Sequence, residues 1–275
     1  MAKHGLLSSI SLKTQQKLMC DFGSHQIIQA DAASRRGLIQ ALGGQQHQMK
    51  YKVFFVVMAS YLAYIAIENG QHWLWYPVAS LVVMAISYIF NSPKLVMGKD
   101  KNGKINYFIV IINLPWLLFT YSIFAIQYFM SREDKANKII KEIYIGCYPC
   151  KKKAREYDYV IDLTSEFPSS QKYGGKYSCL ANLDGINLSQ YFIPDDLSIS
   201  DKILIHCAQG HGRSATYCSM LLIKMGLAKD CNEALTIIQK SRPAARPSKY
   251  QIKQIESAQQ VDAPGRLRRP GDLCR

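Results

Sequence analysis

The sequence predicts an α/β domain with a central sheet flanked by helices, preceded by an α-helical membrane region. Three observations carry that expectation. Residues 53–130 are dominated by Val, Ile, Leu, Phe, Tyr and Trp and hold few charges, whereas 131–260 have the mixed composition of a soluble domain. Within the second part, short apolar runs alternate with helix-periodic ones, the pattern of a layered α/β domain. One such run, 202–206, passes directly into a glycine-rich turn and then a helix.

The first residues, up to about position 50, are polar and mixed, and no apolar run follows Lys3 that would mark a cleaved signal peptide. Three apolar stretches come next: 51–67 with Lys52 as its one charge, 73–90 with none, and 105–130 with none. Crossing a bilayer takes about 20 such residues, so the first two are short but adequate. Trp73, Trp75 and Tyr76 stand where an interfacial aromatic belt is expected.

The third stretch is ambiguous. Lysines and arginines flank the first stretch (Arg35, Arg36, Lys50, Lys52), follow the second (Lys94, Lys99, Lys101, Lys104) and follow the third (Arg132, Lys135, Lys138, Lys141), whereas the loop 68–72 has none. The positive-inside rule then calls for two crossings, with a third segment that lies at the interface or re-enters. Hydropathy alone allows three. Pro115 beside Asn113 suits a kink. Asn106, Asn113, Thr120 and Gln127 recur every seven residues as one polar stripe, fit for headgroups or for another helix.

In the soluble part, 142–146, 157–163, 176–180 and 202–206 read as strands. Residues 214–225 read as a helix ending at Gly226, 232–240 as a helix with Asn232 as a cap, and 250–259 as a last helix after Pro243 and Pro247. The tail beyond 261 reads as disordered.

Lys plus Arg number 34 against 20 Asp plus Glu, a formal charge of +14, which suits an anionic partner. Nucleic acid is not expected, because no basic stripe is interleaved with aromatics and no nucleic-acid motif is present. The eight cysteines (Cys20, Cys147, Cys150, Cys179, Cys207, Cys218, Cys231, Cys274) lack the spacing of a disulfide scaffold. The lone pair Cys147 and Cys150 has no partners at ligand spacing, so no metal is expected, and a reducing compartment is the simpler reading. Lys151–Lys153 reads as a solvated face.

Chemistry concentrates in His206-Cys207-Ala208-Gln209-Gly210-His211-Gly212-Arg213-Ser214. A loop between a buried strand and a helix N-terminus turns successive backbone N–H groups onto an anion. The residues 208–213 are the candidate phosphate binders: Ala208, Gln209, Gly210, His211, Gly212 and Arg213. The same positive potential favours the thiolate of Cys207, the candidate nucleophile. Arg213 offers a planar fork for two phosphate oxygens. Ser214 is close enough in sequence to help the sulfur leave. His206 reads as a structural hydrogen-bonding residue that positions the loop, and His211 as facing substrate or solvent.

Two displacements through a phosphocysteine also need a proton donor. Asp184, in a loop before Gly185, is the favoured acid, with Asp195 or Asp196 as alternatives; Asp201 sits at the wrong end of its strand.

This Cys-x5-Arg-Ser segment, with its preceding His and two loop glycines, resembles the signature of the protein tyrosine and dual-specificity phosphatase superfamily. The resemblance spans roughly 140–258 and takes in Ile143-Tyr144-Ile145-Gly146, Val160-Ile161-Asp162-Leu163-Thr164, Leu183-Asp184-Gly185 and Arg242-Pro243. It is nearest to small dual-specificity-like phosphatases, some of which carry N-terminal membrane segments. It implies a phosphatase domain over 140–260 without a cofactor, with Cys207 as nucleophile, Arg213 as phosphate binder, Ser214 as the leaving-step hydroxyl and Asp184 as general acid. The 23 residues between Asp184 and Cys207 are fewer than that family usually shows.

The resulting expectation is a multi-pass membrane protein whose phosphatase domain faces the cytoplasm. Its substrate is a phosphorylated protein or, alternatively, a phospholipid of the phosphatidylglycerophosphate type, and it would meet the bilayer as a partner. Inositol lipids are disfavoured, because Ala208 and His211 stand where lysines would be expected. A catalytically silent phosphate-binding adaptor is the reading from another class.

Overall fold

The computed structural model describes residues 49–149, 156–169, 175–194, 197–198 and 200–262 of the chain. Asp195, Asp196, Cys150, Lys151–Lys153, the residues before 49 and the tail after 262 lie outside the described residues.

Two helices open the described part. Helix α1 (Met49–Glu68) and a segment comprising a short 3-10 turn and helix α2 (Trp75–Ile89) are each long and apolar enough to cross a membrane. They form a hairpin closed by Gly70 at φ +62, a left-handed conformation that a side chain would strain. Phe55 and Ala59 of α1 pack on Leu81, Met84, Ala85 and Tyr88 of α2. Their other faces leave Val53, Val57, Tyr61, Val82 and Ile86 exposed.

The third apolar stretch is not one helix. A short α3 (Lys94–Met97) precedes α4 (Tyr107–Ile112), which gives way at Asn113 to α5 (Leu114–Met130) with Pro115 in its first turn. Proline is tolerated there because its missing N–H has no partner in a first turn. The polar stripe serves protein contacts. Asn106 caps α4 by accepting from the Phe108 N–H at 3.0 Å, and the Asn113 amide donates to the carbonyls of Leu95 (2.7 Å) and Val96 (3.1 Å). Thr120 donates to its own helix at Trp116, and the Gln127 and Gln209 amides pair. Asn113 and Gln127 thus bond to neighbouring segments, and Asn106 and Thr120 to their own helices.

That domain is a five-stranded sheet in the order β1-β2-β5-β3-β4. The strands are β1 (Ala136–Ile140), β2 (Ile143–Gly146), β3 (Tyr159–Thr164), β4 (Lys176–Asn182) and β5 (Ile203–His206). Only β1 and β2 pair antiparallel; the rest is parallel. β3 and β5 are buried along their whole length, which explains their continuous apolar runs. Helices α6 (Arg213–Lys224), α7 (Cys231–Ser241) and α8 (Lys249–Asp262) cover the sheet through one core that includes Ile145, Ile161, Ile205, Leu221 and Ile238. The edge strand β1 escapes sequence reading because its residues, Ala-Asn-Lys-Ile-Ile, show neither alternation nor full burial. The cap of α7 is Asp230, which accepts from the Glu233 N–H at 2.8 Å, rather than Asn232; the helix begins one turn position earlier than its apolar pattern suggests.

Buried polar contacts tie the helical region to the sheet. Lys99, 2 % exposed, reaches β3, where its Nζ lies 2.6 Å from Asp162 Oδ2 and donates to Thr164. Burial alone would raise the Asp162 carboxyl, but the Lys99 charge, with hydrogen bonds from Lys99 and Thr164, holds it well below the usual carboxylate range. Lys99 is therefore an internal counter-ion and not one of the solvated flanking charges that the sequence suggests. The Lys101 carbonyl accepts from the Cys179 N–H of β4 at 3.0 Å. Cys179 itself is buried, and burial pushes its thiol up to about 12.

Candidate active site

Strand β5 ends at His206, and α6 begins at Arg213; the loop between them carries the candidate nucleophile. Cys207 is 4 % exposed, and the Gly210 N–H points at its Sγ from 3.2 Å. Gly210 adopts φ +77, and a Cβ there would lie 2.4 Å from the Gly146 carbonyl, so this position demands glycine on two separate grounds.

The loop is held from outside by Arg242, a residue whose part in the site the sequence does not declare. Its Nε donates to the Gly210 carbonyl (2.9 Å), and its Nη2 to the Gln209 carbonyl (2.8 Å). Nη1 donates to the Asp134 carbonyl (3.0 Å) and to Asn137 Oδ1 (2.5 Å). With its carbonyls drawn toward Arg242, the loop leaves its N–H groups for the concave side, the arrangement that an anion needs. The Tyr148 N–H adds a bond to the Ala208 carbonyl at 2.9 Å.

Arg213 is fully buried and tightly positioned. Glu166 takes both Nη1 (3.0 Å) and Nη2 (2.6 Å), and the carbonyls of Asn182 (2.8 Å) and Leu163 (3.3 Å) accept from Nη1. Burial by itself disfavours the charge, but Glu166, Asp184 and Cys207 more than reverse this, and the guanidinium stays charged. Burial likewise opposes ionisation of Glu166, and Arg213 overcomes it, holding that carboxyl low. The bidentate pair orients the guanidinium before any ligand arrives.

Asp184 Oδ1 lies 3.2 Å from Arg213 Nε, an ion pair whose angle is too poor for a hydrogen bond. Its side chain is 69 % exposed and lines the same cavity as Cys207. Among the described residues between Asp184 and β5 there is no helix, which accounts for the short spacing. Asp201 caps a turn at the far end of β5, accepting from the Ser198 N–H. Asp195 and Asp196 lie outside the described residues.

Three expectations change. Ser214 Oγ is buried without a hydrogen-bond partner, so the expected bond to the Cys207 sulfur is not made in this state. His206 makes no side-chain hydrogen bond of normal geometry; its ring packs edge-on against Tyr148 and sits 3.9 Å from Asp162. Burial lowers its pKa against the opposing pull of Asp162, so it stays neutral. His211 turns to Glu133, Nε2 to Oε2 at 2.7 Å, and Glu133 also approaches Arg242 at 3.4 Å. The partners Glu133, Glu166 and Arg242 come from segments far apart in sequence, which gave no local signal of pairing.

The cavity over Cys207 has a volume of about 810 Å³. Its floor is the loop with Arg213, Asp184 and Glu166, and its walls are α1 and α5. Gln251 of α8, buried, stands beside Gly212 and donates to the Ile186 carbonyl at 3.1 Å.

No protein-family model matches the chain, and no curated protein matches it. Among solved structures, PTPMT1 in complex with PI(5)P is similar over 47% of this chain and 97% of its own, at 18% identity and a TM-score of 0.41. Human DUSP28 is similar over 46% and 97%, at 15% identity and 0.37. A human tyrosine phosphatase-like serine/threonine/tyrosine-interacting protein is similar over 46% and 96%, at 19% identity and 0.39.

Proposed function

We propose that this chain is a membrane-anchored phosphatase that hydrolyses phosphomonoesters through a phosphocysteine at Cys207. The observation that carries the reading is the loop itself. It hangs between a buried strand and a helix N-terminus, its carbonyls are held by Arg242, and its arginine is pre-oriented by a buried carboxylate.

In the first step the Cys207 thiolate attacks phosphorus, an S–P bond forms and the P–O bond to the alcohol breaks. Arg213 and the N–H groups of residues 208–213 hold the equatorial oxygens. Asp184 gives its proton to the departing alkoxide. Arrival of phosphate at Arg213 Nε frees the Asp184 carboxyl from its ion pair for that task. In the second step water attacks phosphorus, Asp184 takes the water proton, and the S–P bond breaks to return the thiolate and inorganic phosphate. A rotation of the Ser214 hydroxyl brings its proton to the leaving sulfur.

The domain reading follows the same lines: a membrane region over 51–130 with α1 and α2 crossing, and a phosphatase domain over 140–260 on the cytoplasmic side. Support comes from Tyr51, near the start of α1, and Tyr88, near the end of α2. Both touch the Asp184–Gly185 loop, so the hairpin leaves the domain and returns to it.

The test is phosphate release by the full chain in detergent, with phenyl phosphate and phosphotyrosine peptides as substrates and Cys207→Ser as the blank. Release that depends on Cys207 is expected. No release above the blank from any phosphomonoester leaves the silent adaptor as the better reading.

A further inference from the structure

Resting on that reading, we infer that the substrate is a membrane lipid ending in a phosphomonoester, whose acyl chain lies in the cavity between α1 and α5. The cavity is chemically divided. The cavity that holds the Cys207 loop is lined by the cations Arg213, Lys50 and Arg246 as well as by Glu166 and Asp184, and the cations offer charge to a phosphate dianion. Above them the wall is Phe54 and Phe55 from α1 and Trp116, Phe119, Ile123 and Phe124 from α5.

The two polar side chains of α5 in that wall offer little to a ligand. Thr120 Oγ1 donates to the Trp116 carbonyl at 3.0 Å, and the Gln127 amide is paired with Gln209. A peptide threaded along this wall would strand backbone N–H and C=O groups against aromatic rings, each losing its hydrogen bonds to water. A hydrocarbon chain has no such groups. At about 810 Å³ the cavity also falls in the size range of sites that enclose small molecules.

The wall continues outward into apolar surface. Phe54, Phe119 and Ile123 line the cavity and are also 46%, 53% and 39% exposed, and Val57, one turn from Phe54 on α1, is 56% exposed. A lipid can therefore slide from the layer around the helices to the loop without its chain meeting water. The site is entered from the side, and the phosphate reaches Cys207 as the chain fills the gap between the helices.

The test uses the full chain in phosphatidylcholine nanodiscs doped with dioleoyl phosphatidic acid, against a phosphotyrosine peptide and phenyl phosphate in solution. The lipid is expected to exceed the peptide in kcat/KM by about a hundredfold, the worth of a few buried methylenes. Phe119→Ser with Ile123→Ser should raise the lipid KM about tenfold with little change in kcat, since each buried methylene counts for roughly 0.8 kcal/mol. Leu118→Ser, on the same helix but off the cavity wall, should leave the lipid KM within about twofold, the scatter of an ordinary surface change. A peptide preference, or an equal loss with Leu118→Ser, overturns the inference. Should the double variant not fold, the comparison of lipid with peptide on the unmodified protein still decides. Turnover of phenyl phosphate without turnover of the lipid sinks this inference alone; turnover of neither sinks the phosphatase reading.

Discussion

The Tyr88 hydroxyl donates to the backbone carbonyl of Asp184 at 3.3 Å, joining the end of the membrane-length hairpin to the loop that carries the proposed acid. Tyr51 stacks on Tyr88 with ring centroids 5.2 Å apart, and it closes on Gly185 so tightly that a Cβ there would lie 2.1 Å from the Tyr51 hydroxyl. Leu183 and Ile186, on either side of this turn, belong to the same apolar cluster as Phe55 and Met84. The acid loop is thus packed by the helices as much as by the sheet.

Tyr88→Phe keeps the ring stack and removes only that bond. A hydrogen bond of this kind contributes about 1 kcal/mol, so kcat should fall roughly threefold to tenfold while KM holds. Steady-state kinetics on phenyl phosphate check it; a rise in KM with kcat intact would mean that the tyrosine serves binding instead.

Asp184→Asn removes the proton donor but not the loop. Turnover of esters with poor leaving groups, such as phenyl phosphate, should drop by about a hundredfold or more. A nitrophenyl ester, whose leaving group needs no proton, should lose far less. Equal slowing of both would direct attention to another carboxylate.

Arg242→Lys tests the outer clamp. Lysine retains the charge but cannot reach the Gln209 and Gly210 carbonyls and Asn137 together. Hydrogen bonds to a charged group contribute about 1.5–3 kcal/mol, so activity should fall on the order of a hundredfold as the loop loses its shape. Phosphate or vanadate affinity, measured by calorimetry, should fall in parallel.

His206 links stability to pH. Its pKa is lowered in the fold, so below its free value of about 6.5 the unfolded chain binds a proton that the native chain refuses. Stability is therefore lost as pH falls through that value toward the depressed one, and is unaffected by this group above it. Melting temperature should decline from pH 7 to pH 5 in the unmodified protein and less steeply in His206→Asn. Identical slopes would show that the ring is not the titrating group. Asp162 and Glu166, both held low, add their own loss only at more acidic pH.

The strand, loop and helix around Cys207 were legible because each leaves a local mark: β5 is apolar throughout, glycine stands where φ is positive, and α6 has helical periodicity to Gly226. That Asp184 sits in a loop was legible from its place before a glycine. What escaped is pairing at a distance. Glu166 looks like any loop carboxylate until Arg213 arrives from 47 positions later. Arg242 could be placed only by the resemblance of Arg242-Pro243, and Glu133 not at all, because the side-chain partners of both lie in distant segments. Asn113 and Pro115 do mark the break between α4 and α5, but only the fold shows that the polar stripe turns toward α3 and the Cys207 loop.

The same blindness hid Lys99, one lysine among four, and its burial against Asp162 decides what can be removed from this protein. Cut before β1, the sheet keeps Asp162 but loses the cation that neutralises it, and stranding one member of a buried pair typically costs about 3–5 kcal/mol. It also gives up the Lys101 carbonyl that accepts from β4. The α/β domain is therefore not a module that could be joined to other helices or expressed without its own. Whatever changes the helices accumulate, the strand beneath them must answer.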